Sequence, residues 1–276
     1  MKVVKKICVL KTQNVYKYIL MIKNIAFQQF ESRSYSQNGE DGLLSAIFDK
    51  IGFTNHKGLE LCCGTGIQCN LTKLCLDKKL YRPLYIDGSK TKMNKGRKWW
   101  TKKMTMIKYN NVLPPIMVDT FVTIKNISKI LQEYKIIGEM DILSLDMDGI
   151  DYWILKEIKK IINPRVIVLE FQDIMGAYPP LTIPYIDDFD ASTSKYKWNY
   201  CGATLSAFFK LLSEYDLVGT DKKLINAFFV RKDIKHDYEP IKYNELGDLW
   251  NQLTKEKQDK LNKRWDKVKH LNWINI

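Results

Sequence analysis

The stretch from Gly58 to Asp87 constrains the fold more than any other part of this chain. An apolar run, Leu59 to Cys62, passes into the glycine turn Gly64-Thr65-Gly66; helix-forming residues follow over Asn70 to Lys79, and a second apolar run, Arg82 to Asp87, ends on an acid. Strand, turn, helix and strand in that order argue for parallel strands joined by right-handed crossovers. The alternation continues downstream. Met104 to Tyr109 predicts a short third strand, Asn126 to Tyr134 a helix, Asp141 to Met147 a fourth strand, Tyr152 to Ile162 a helix and Arg165 to Phe171 a fifth strand. Val166-Ile167-Val168-Leu169 is apolar without a break, as suits a central strand buried on both faces. After a helix over 203–213, Tyr215 to Val218 and Leu224 to Val230 lie close enough to pair antiparallel through Asp221-Lys222-Lys223. The expected fold class is α/β: a mostly parallel, Rossmann-like sheet of seven strands closed by a C-terminal antiparallel hairpin.

A chain of 276 residues with 45% hydrophobic residues can bury a sizeable core. Residues 35–235 carry the α/β pattern and form the expected domain. Residues 1–34 alternate apolar and basic residues, with an amphipathic helix predicted over Val15 to Phe30 that packs on the domain in preference to a membrane surface. Residues 236–276 are polar and helical, with Trp250, Trp265 and Trp273 widely spaced, and read as an appended cap. The segment Asp173 to Tyr200, with prolines at 179, 180 and 184, reads as a long functional loop. Six cysteines form no CxxC pair and suit buried thiols in a reducing compartment better than a zinc site. No run approaches the roughly 20 apolar residues of a membrane span, and Lys11, Lys17 and Lys23 interrupt any secretory core, so a cytoplasmic protein without a transmembrane segment is expected.

At a strand-to-helix turn, glycines let backbone approach a ligand, and an acid about 20 residues later can hydrogen-bond ribose hydroxyls. Asp87 fits that position. A dinucleotide site would add a third glycine and a helix N-terminus aimed at pyrophosphate, which this turn lacks. S-adenosylmethionine carries no phosphate, and Glu60 could face its cationic amino-acid end. The fourth strand ends in Asp146-Met147-Asp148-Gly149-Ile150-Asp151 and the fifth in Glu170-Phe171-Gln172. Asp146 and Asp148 would then sit beside the cofactor. They could serve as general base or as ligands to a divalent cation such as Mg2+, or Asp148 and Asp151 could cap a helix. Glu170 adds a second rim carboxylate, and Gln172 follows it.

Several segments, in order, resemble motifs of the FkbM-like methyltransferases, particularly a largely uncharacterised branch. They are Ser36-Gln37-Asn38-Gly39-Glu40-Asp41-Gly42, Asp141 to Tyr152, Pro164 to Glu170, Tyr200 to Leu205 and Asn226 to Arg231. The resemblance covers about residues 35–233 and implies a class I methyltransferase fold, S-adenosylmethionine as methyl donor, and an O-methyltransferase acting on a sugar, glycan or other small hydroxylated acceptor. It carries the cofactor positions onto Glu60, Gly64, Gly66 and Asp87. The family usually has glycine where this chain has Cys62. Asp146, then Asp148, are the expected aids to deprotonation, and Gln37, Glu40 and Asp41 the expected lid or substrate contacts, with helix capping as the other role for Glu40 and Asp41.

Three other readings remain at this stage. With 44 Lys+Arg against 31 Asp+Glu, the net charge is +13. The run Lys90 to Lys108 holds eight basic residues, Trp99-Trp100 and no acid. Such a run suits phosphate contact and base stacking in a nucleic-acid methyltransferase, although a solvated helix face explains it as well. Asp146-Met147-Asp148 could be the DxD of a metal-dependent glycosyltransferase, and Cys62 could mark a catalytically inactive binding module.

Overall fold

The computed structural model describes residues 23–77, 79–106, 113–176 and 179–276. A seven-stranded sheet runs through it, built from β1 (Gly58–Leu61), β2 (Leu84–Asp87), β3 (Ile116–Asp119), β4 (Gly138–Leu145), β5 (Ile162–Glu170), β7 (Tyr215–Thr220) and β8 (Asn226–Arg231). The strand order is β3-β2-β1-β4-β5-β8-β7. The first five strands pair in parallel, and β8 runs antiparallel to both β5 and β7. One antiparallel strand slipped between β5 and β7 is the class I methyltransferase arrangement, as expected.

Successive residues of each strand face opposite sides, and the sheet divides its apolar residues accordingly. Leu59, Leu61, Leu143, Leu145, Ile167 and Leu169 pack with α5 (Ile127–Glu133), α6 (Asp151–Ile158) and α7 (Leu205–Leu211). Ile142, Val166, Val168, Phe228 and Val230 pack on the other face with α1 (residues 23–28), α2 (Glu40–Ile51), α3 (Thr72–Leu76) and α4 (Lys90–Met106). The part of the predicted N-terminal helix within the described residues packs on the domain: Asn24 Nδ2 donates to Thr220 Oγ1 at 3.0 Å, and Phe27 lies so close that a Cβ on Gly219 would fall 2.2 Å from its ring. The rest of that prediction, to residue 22, lies outside the described residues. No helix among the described residues is long and apolar enough to cross a membrane.

The third strand is not where the sequence pattern puts it. Met104 to Met106 continue α4, whose buried stripe Met93, Gly96 and Trp100 extends naturally to Met104, and residues 107–112 are outside the described residues. The strand comes after Pro114-Pro115, over Ile116–Asp119. α3 is also shorter than predicted, because the chain up to Leu71 is drawn toward the Glu60 carboxylate. In the C-terminal segment, α8 (Leu246–Trp250) and α9 (Lys255–Asp266) are joined by β9 (Ile274–Asn275), which pairs antiparallel with β6 (Leu181–Thr182) inside the long loop. The three spaced tryptophans meet around Ile174, Met175, Leu261 and Val268.

α4 lies almost in contact with the turn after β1. A Cβ on Gly96 would sit 1.9 Å from the Thr65 carbonyl oxygen and 2.7 Å from Met117 Cε. One turn later, Trp100 Nε1 donates to the Gly66 carbonyl at 2.8 Å. Gly96→Ala should therefore destabilise the protein by about 1–3 kcal/mol through overpacking, despite a helix-propensity gain of about 1 kcal/mol. Urea unfolding checks this, and an unchanged or raised midpoint would contradict it.

Candidate functional site

β1, β2, β4 and β5 bring their C-terminal ends to one edge of the sheet, where open α/β sheets leave a ligand crevice. A cavity of about 850 Å3 opens there. It is lined by the turn after β1, Asp87 at the end of β2, Asp146 and Asp148 after β4, and Glu170 at the end of β5.

The turn is built from left-handed backbone. Cys62, Gly64 and Gly66 have φ of 56°, 58° and 64°, a conformation that costs a side-chain-bearing residue about 1–2 kcal/mol. A glycine at position 62 would have that conformational reason, and Cys62 adopts the same φ with a side chain. A Cβ on Gly64 would meet nothing within 4 Å, so this glycine borders open space, whereas one on Gly66 would come within 2.9 Å of Met117 Cε and Tyr85 Cδ2. The first glycine leaves room for a ligand and the second leaves room for the core.

Two acids brace this turn. Glu60 is buried, and its carboxylate accepts from the backbone N–H of Asn70 at 2.8 Å and of Leu71 at 3.0 Å, and from the Ser144 hydroxyl at 3.3 Å. Burial raises it to about 7. Asp87 accepts from Gly64 N–H at 2.8 Å and Ser89 N–H at 2.7 Å. Each Asp87 oxygen thus takes one protein donor and keeps a second acceptor site. Burial, then the nearby carboxylates of Asp151, Asp87 and Asp146, push the Cys62 thiol well up, so it stays protonated.

The acidic segment after β4 divides its labour. Asp151 accepts from the N–H groups of Met147 at 2.7 Å and Gly149 at 2.9 Å, holding the turn at the head of α6. Asp148, with φ of 53°, is exposed on the cavity side. Asp146, Asp148 and Glu170 each place a carboxylate oxygen within 4.8 Å of the others. Burial pushes Asp146 up to about 7, with a hydrogen bond from Glu170 pulling the other way. Burial, then the Asp146 charge, drives Glu170 much further up. At neutral pH Glu170 therefore carries the proton of the pair and leans on Asp146, whose Oδ1 is buried with no hydrogen-bond partner. Although the residue as a whole is exposed, the protein around its carboxyl raises Asp148, against the opposing pull of Lys92.

The remaining predicted residues separate into two groups. Gln37 and Glu40 line the cavity, and Glu40 accepts from Asn38 N–H and Asn226 Nδ2, both at 2.7 Å. Asp41 is committed to backbone: one oxygen accepts from the N–H groups of Ser34 at 2.8 Å, Tyr35 at 2.6 Å and Ser36 at 2.8 Å, wrapping that segment onto the head of α2. Gln172 borders a smaller neighbouring cavity of about 200 Å3 and donates to the carbonyls of Trp198 at 3.2 Å and Cys201 at 3.1 Å. Sequence reasoning misses Phe121, Phe189, Asp190, Trp198 and Asn226, all of which line the main cavity. Phe189, Asp190 and Trp198 lie in the segment Asp173 to Tyr200, which the sequence pattern marks as functional only as a whole, and Phe121 lies between β3 and α5 with no periodic pattern to single it out.

No protein-family model matches the sequence, and no curated protein matches it. Among solved structures, the chain is similar to an S-adenosylmethionine-dependent methyltransferase from Clostridium acetobutylicum ATCC 824, at 14% identity over 80% of this chain and 97% of that one, with a TM-score of 0.41. It is also similar to PKMT2 from Rickettsia typhi in complex with AdoHcy, at 14% identity over 75% of this chain and 56% of that one, with a TM-score of 0.43. A third is the methyltransferase domain of bacterial CtHen1-CN, at 12% identity over 69% of this chain and 96% of that one, with a TM-score of 0.39. At such identities and scores the strand order, not the likeness, carries the fold.

The raised carboxyls give the site a pH signature. Asp146, moved from 3.8 to about 7, binds its proton more tightly in the folded than in the unfolded chain. The stability it contributes is fully present below its unfolded pKa and is lost as pH rises through the folded one. Between about pH 5 and pH 7.5, Asp146→Asn should lose less unfolding free energy than the wild type, by about 1–3 kcal/mol. Urea titrations at the two pH values measure the difference, and parallel profiles would contradict it.

Proposed function

We propose that the protein is an S-adenosylmethionine-dependent O-methyltransferase of the FkbM-like kind, acting on a hydroxyl of a sugar, glycan or other hydroxylated acceptor. The observation that carries this reading is the charge of the cavity. Glu40, Glu60, Asp87, Asp146, Asp148, Glu170 and Asp190 line it, against Lys92 as the one cation among the described lining residues, so that even with Glu170 protonated and Glu60 and Asp146 near their titration points acids prevail. A cavity of that sign attracts a ligand bearing a sulfonium and an ammonium and repels a pyrophosphate. The open face of Gly64 and the free acceptor sites of Asp87 fit the same ligand.

S-adenosylmethionine supplies a methyl group already activated on a sulfonium. What this chain adds is alignment of an acceptor oxygen and removal of its proton. Asp87 would hold ribose hydroxyls, and the Glu60 to Gly66 turn would hold the body of the cofactor. Asp146, poised near neutrality, takes the acceptor proton, while the protonated Glu170 spares it a second adjacent negative charge. Asp148, exposed beside them, would orient the acceptor.

Isothermal titration with S-adenosylmethionine and S-adenosylhomocysteine tests this reading, with binding in the micromolar range expected. Asp87→Ala should weaken binding by about tenfold or more, as loss of charge-assisted hydrogen bonds would, and Cys62→Gly should bind at least as tightly as the wild type. No heat at millimolar ligand would contradict the reading.

The three-carboxylate cluster motivates a second reading, in which Asp146, Asp148 and Glu170 hold Mg2+ or a similar oxygen-seeking cation. A cation there would displace the proton held by Glu170, so its binding should strengthen as pH rises. Titration with Mn2+ at about pH 6 and pH 8 checks this, and an Asp148→Asn/Glu170→Gln variant should lose the signal.

A further inference from the structure

α4 begins at the rim of the acidic cavity and runs away from it with one cationic stripe facing solvent. At 100° per residue, Lys92, Lys95, Trp99 and Lys102 fall within one quarter of the helix circumference, about 110° round from the buried Met93, Gly96 and Trp100, with Trp99 half-buried between the lysines. Lys92 lines the cavity itself. From there the stripe extends about 15 Å along the helix axis, with a cation or aromatic ring roughly every 5 Å. Lys92, Lys95 and Lys102 are exposed and form no ion pair among the described residues, whereas Arg97, on the inner flank, is bonded to Asp119 at 2.5 Å. Farther along, Trp99 and Tyr35 meet edge to face at 6.2 Å between centroids, with Lys103 Nζ 5.8 Å and 5.7 Å from the two rings. At the cavity mouth, Phe121 and Trp198 are 45% and 47% exposed.

We propose that this stripe is the binding track for a single-stranded polynucleotide, whose phosphates lie along Lys92, Lys95 and Lys102 and whose bases stack on Trp99 and on the aromatic mouth. Three observations select this partner. A row of cations about 15 Å long that starts at the cavity rim and leads away from it suits a polymer better than a small acceptor. Flat rings interleaved with the cations match bases interleaved with phosphates, and an unpaired strand is needed because a paired one could not present a nucleotide to a recessed site. Lys92 stands at the rim, and the carboxylates that line the rest of the cavity repel phosphate beyond it, so the part that enters is the neutral base or ribose, while the negative backbone stays on α4. An anionic bilayer would instead call for a continuous row of exposed apolar residues, and along the stripe the half-buried Trp99 and the exposed Met106, at its far end, do not make one. That the polynucleotide is the methyl acceptor rests on the function proposed above; its binding to α4 does not.

Fluorescence anisotropy of the full chain with a fluorescein-labelled dodecauridylate, and with the matching dodecathymidylate, tests the proposal and separates RNA from DNA. Micromolar binding at about 50 mM KCl that weakens steeply toward about 150 mM is expected. Lys95→Glu/Lys102→Glu should weaken it about tenfold and reduce the salt slope by about two. Trp99→Ala should weaken it several-fold with the slope unchanged. Lys263→Glu/Lys267→Glu, a matched reversal at the C-terminal end of α9 and the residue after it, should bind as the wild type does. If the first pair lowers the melting temperature, Lys95→Gln/Lys102→Gln makes the same comparison with a smaller loss. Absence of binding at the lower salt, equal losses from the α4 and α9 reversals, or tighter binding of heparin or phosphatidylserine vesicles than of either oligonucleotide would overturn the proposal. Titration of S-adenosylmethionine into the same preparations reports separately on the methyl-donor site.

Discussion

The cavity depends on a short turn, Cys62 to Gly66, in which Cys62, Gly64 and Gly66 are left-handed and which is held from several directions at once. Glu60 draws Asn70 and Leu71 back beneath the turn, Asp87 fastens Gly64 from the neighbouring strand, and Trp100 reaches over from α4 to the Gly66 carbonyl. Each contact comes from a different element of the α/β sequence. The turn therefore ties β1, β2 and α4 together, and the stripe on the outer side of α4 is aimed at the cavity because Gly96 lets the inner side rest on Thr65.

The second constraint is electrostatic. Desolvation of several carboxylates around one cavity is unfavourable unless some are neutralised or a cation enters. This protein neutralises Glu170 with a proton and keeps Asp146 near its titration point. The same arrangement that weakens the fold as pH rises would, on the proposed function, leave a base ready at neutral pH and favour positive ligands in the cavity. On the proposed polynucleotide track, phosphates would stay outside, on the lysine-rich α4.

Much of this was legible in the residues. Parallel alternation, the Gly64 and Gly66 turn, Asp87 and the clustering of Asp146, Asp148 and Glu170 follow from strand ends that must share one edge of a parallel sheet. What was hidden depends on contacts distant in sequence. Met104 to Met106 have strand-like composition, but the buried stripe of α4 claims them, and the true β3 lies beyond two prolines. Asp151 and Asp41 are a local case instead: each holds backbone N–H groups within seven residues at the head of its helix, close to the capping role that their positions left open. Trp250, Trp265 and Trp273 show no periodicity because loop residues Ile174 and Met175 supply the other half of their cluster. Trp198 belongs to a loop held in place by Gln172 and by Arg264 of α9, whose Nη2 donates to the Trp198 carbonyl at 3.2 Å.

The central claim is that the cavity at the ends of β1, β2, β4 and β5 receives S-adenosylmethionine. A crystal structure with S-adenosylhomocysteine tests it most directly. The account predicts the ligand against the open face of Gly64, its ribose hydroxyls on Asp87 and its sulfur facing Asp146. A ligand bound outside this cavity, or a nucleotide sugar and metal seated on Asp146 and Asp148 in its place, would contradict it.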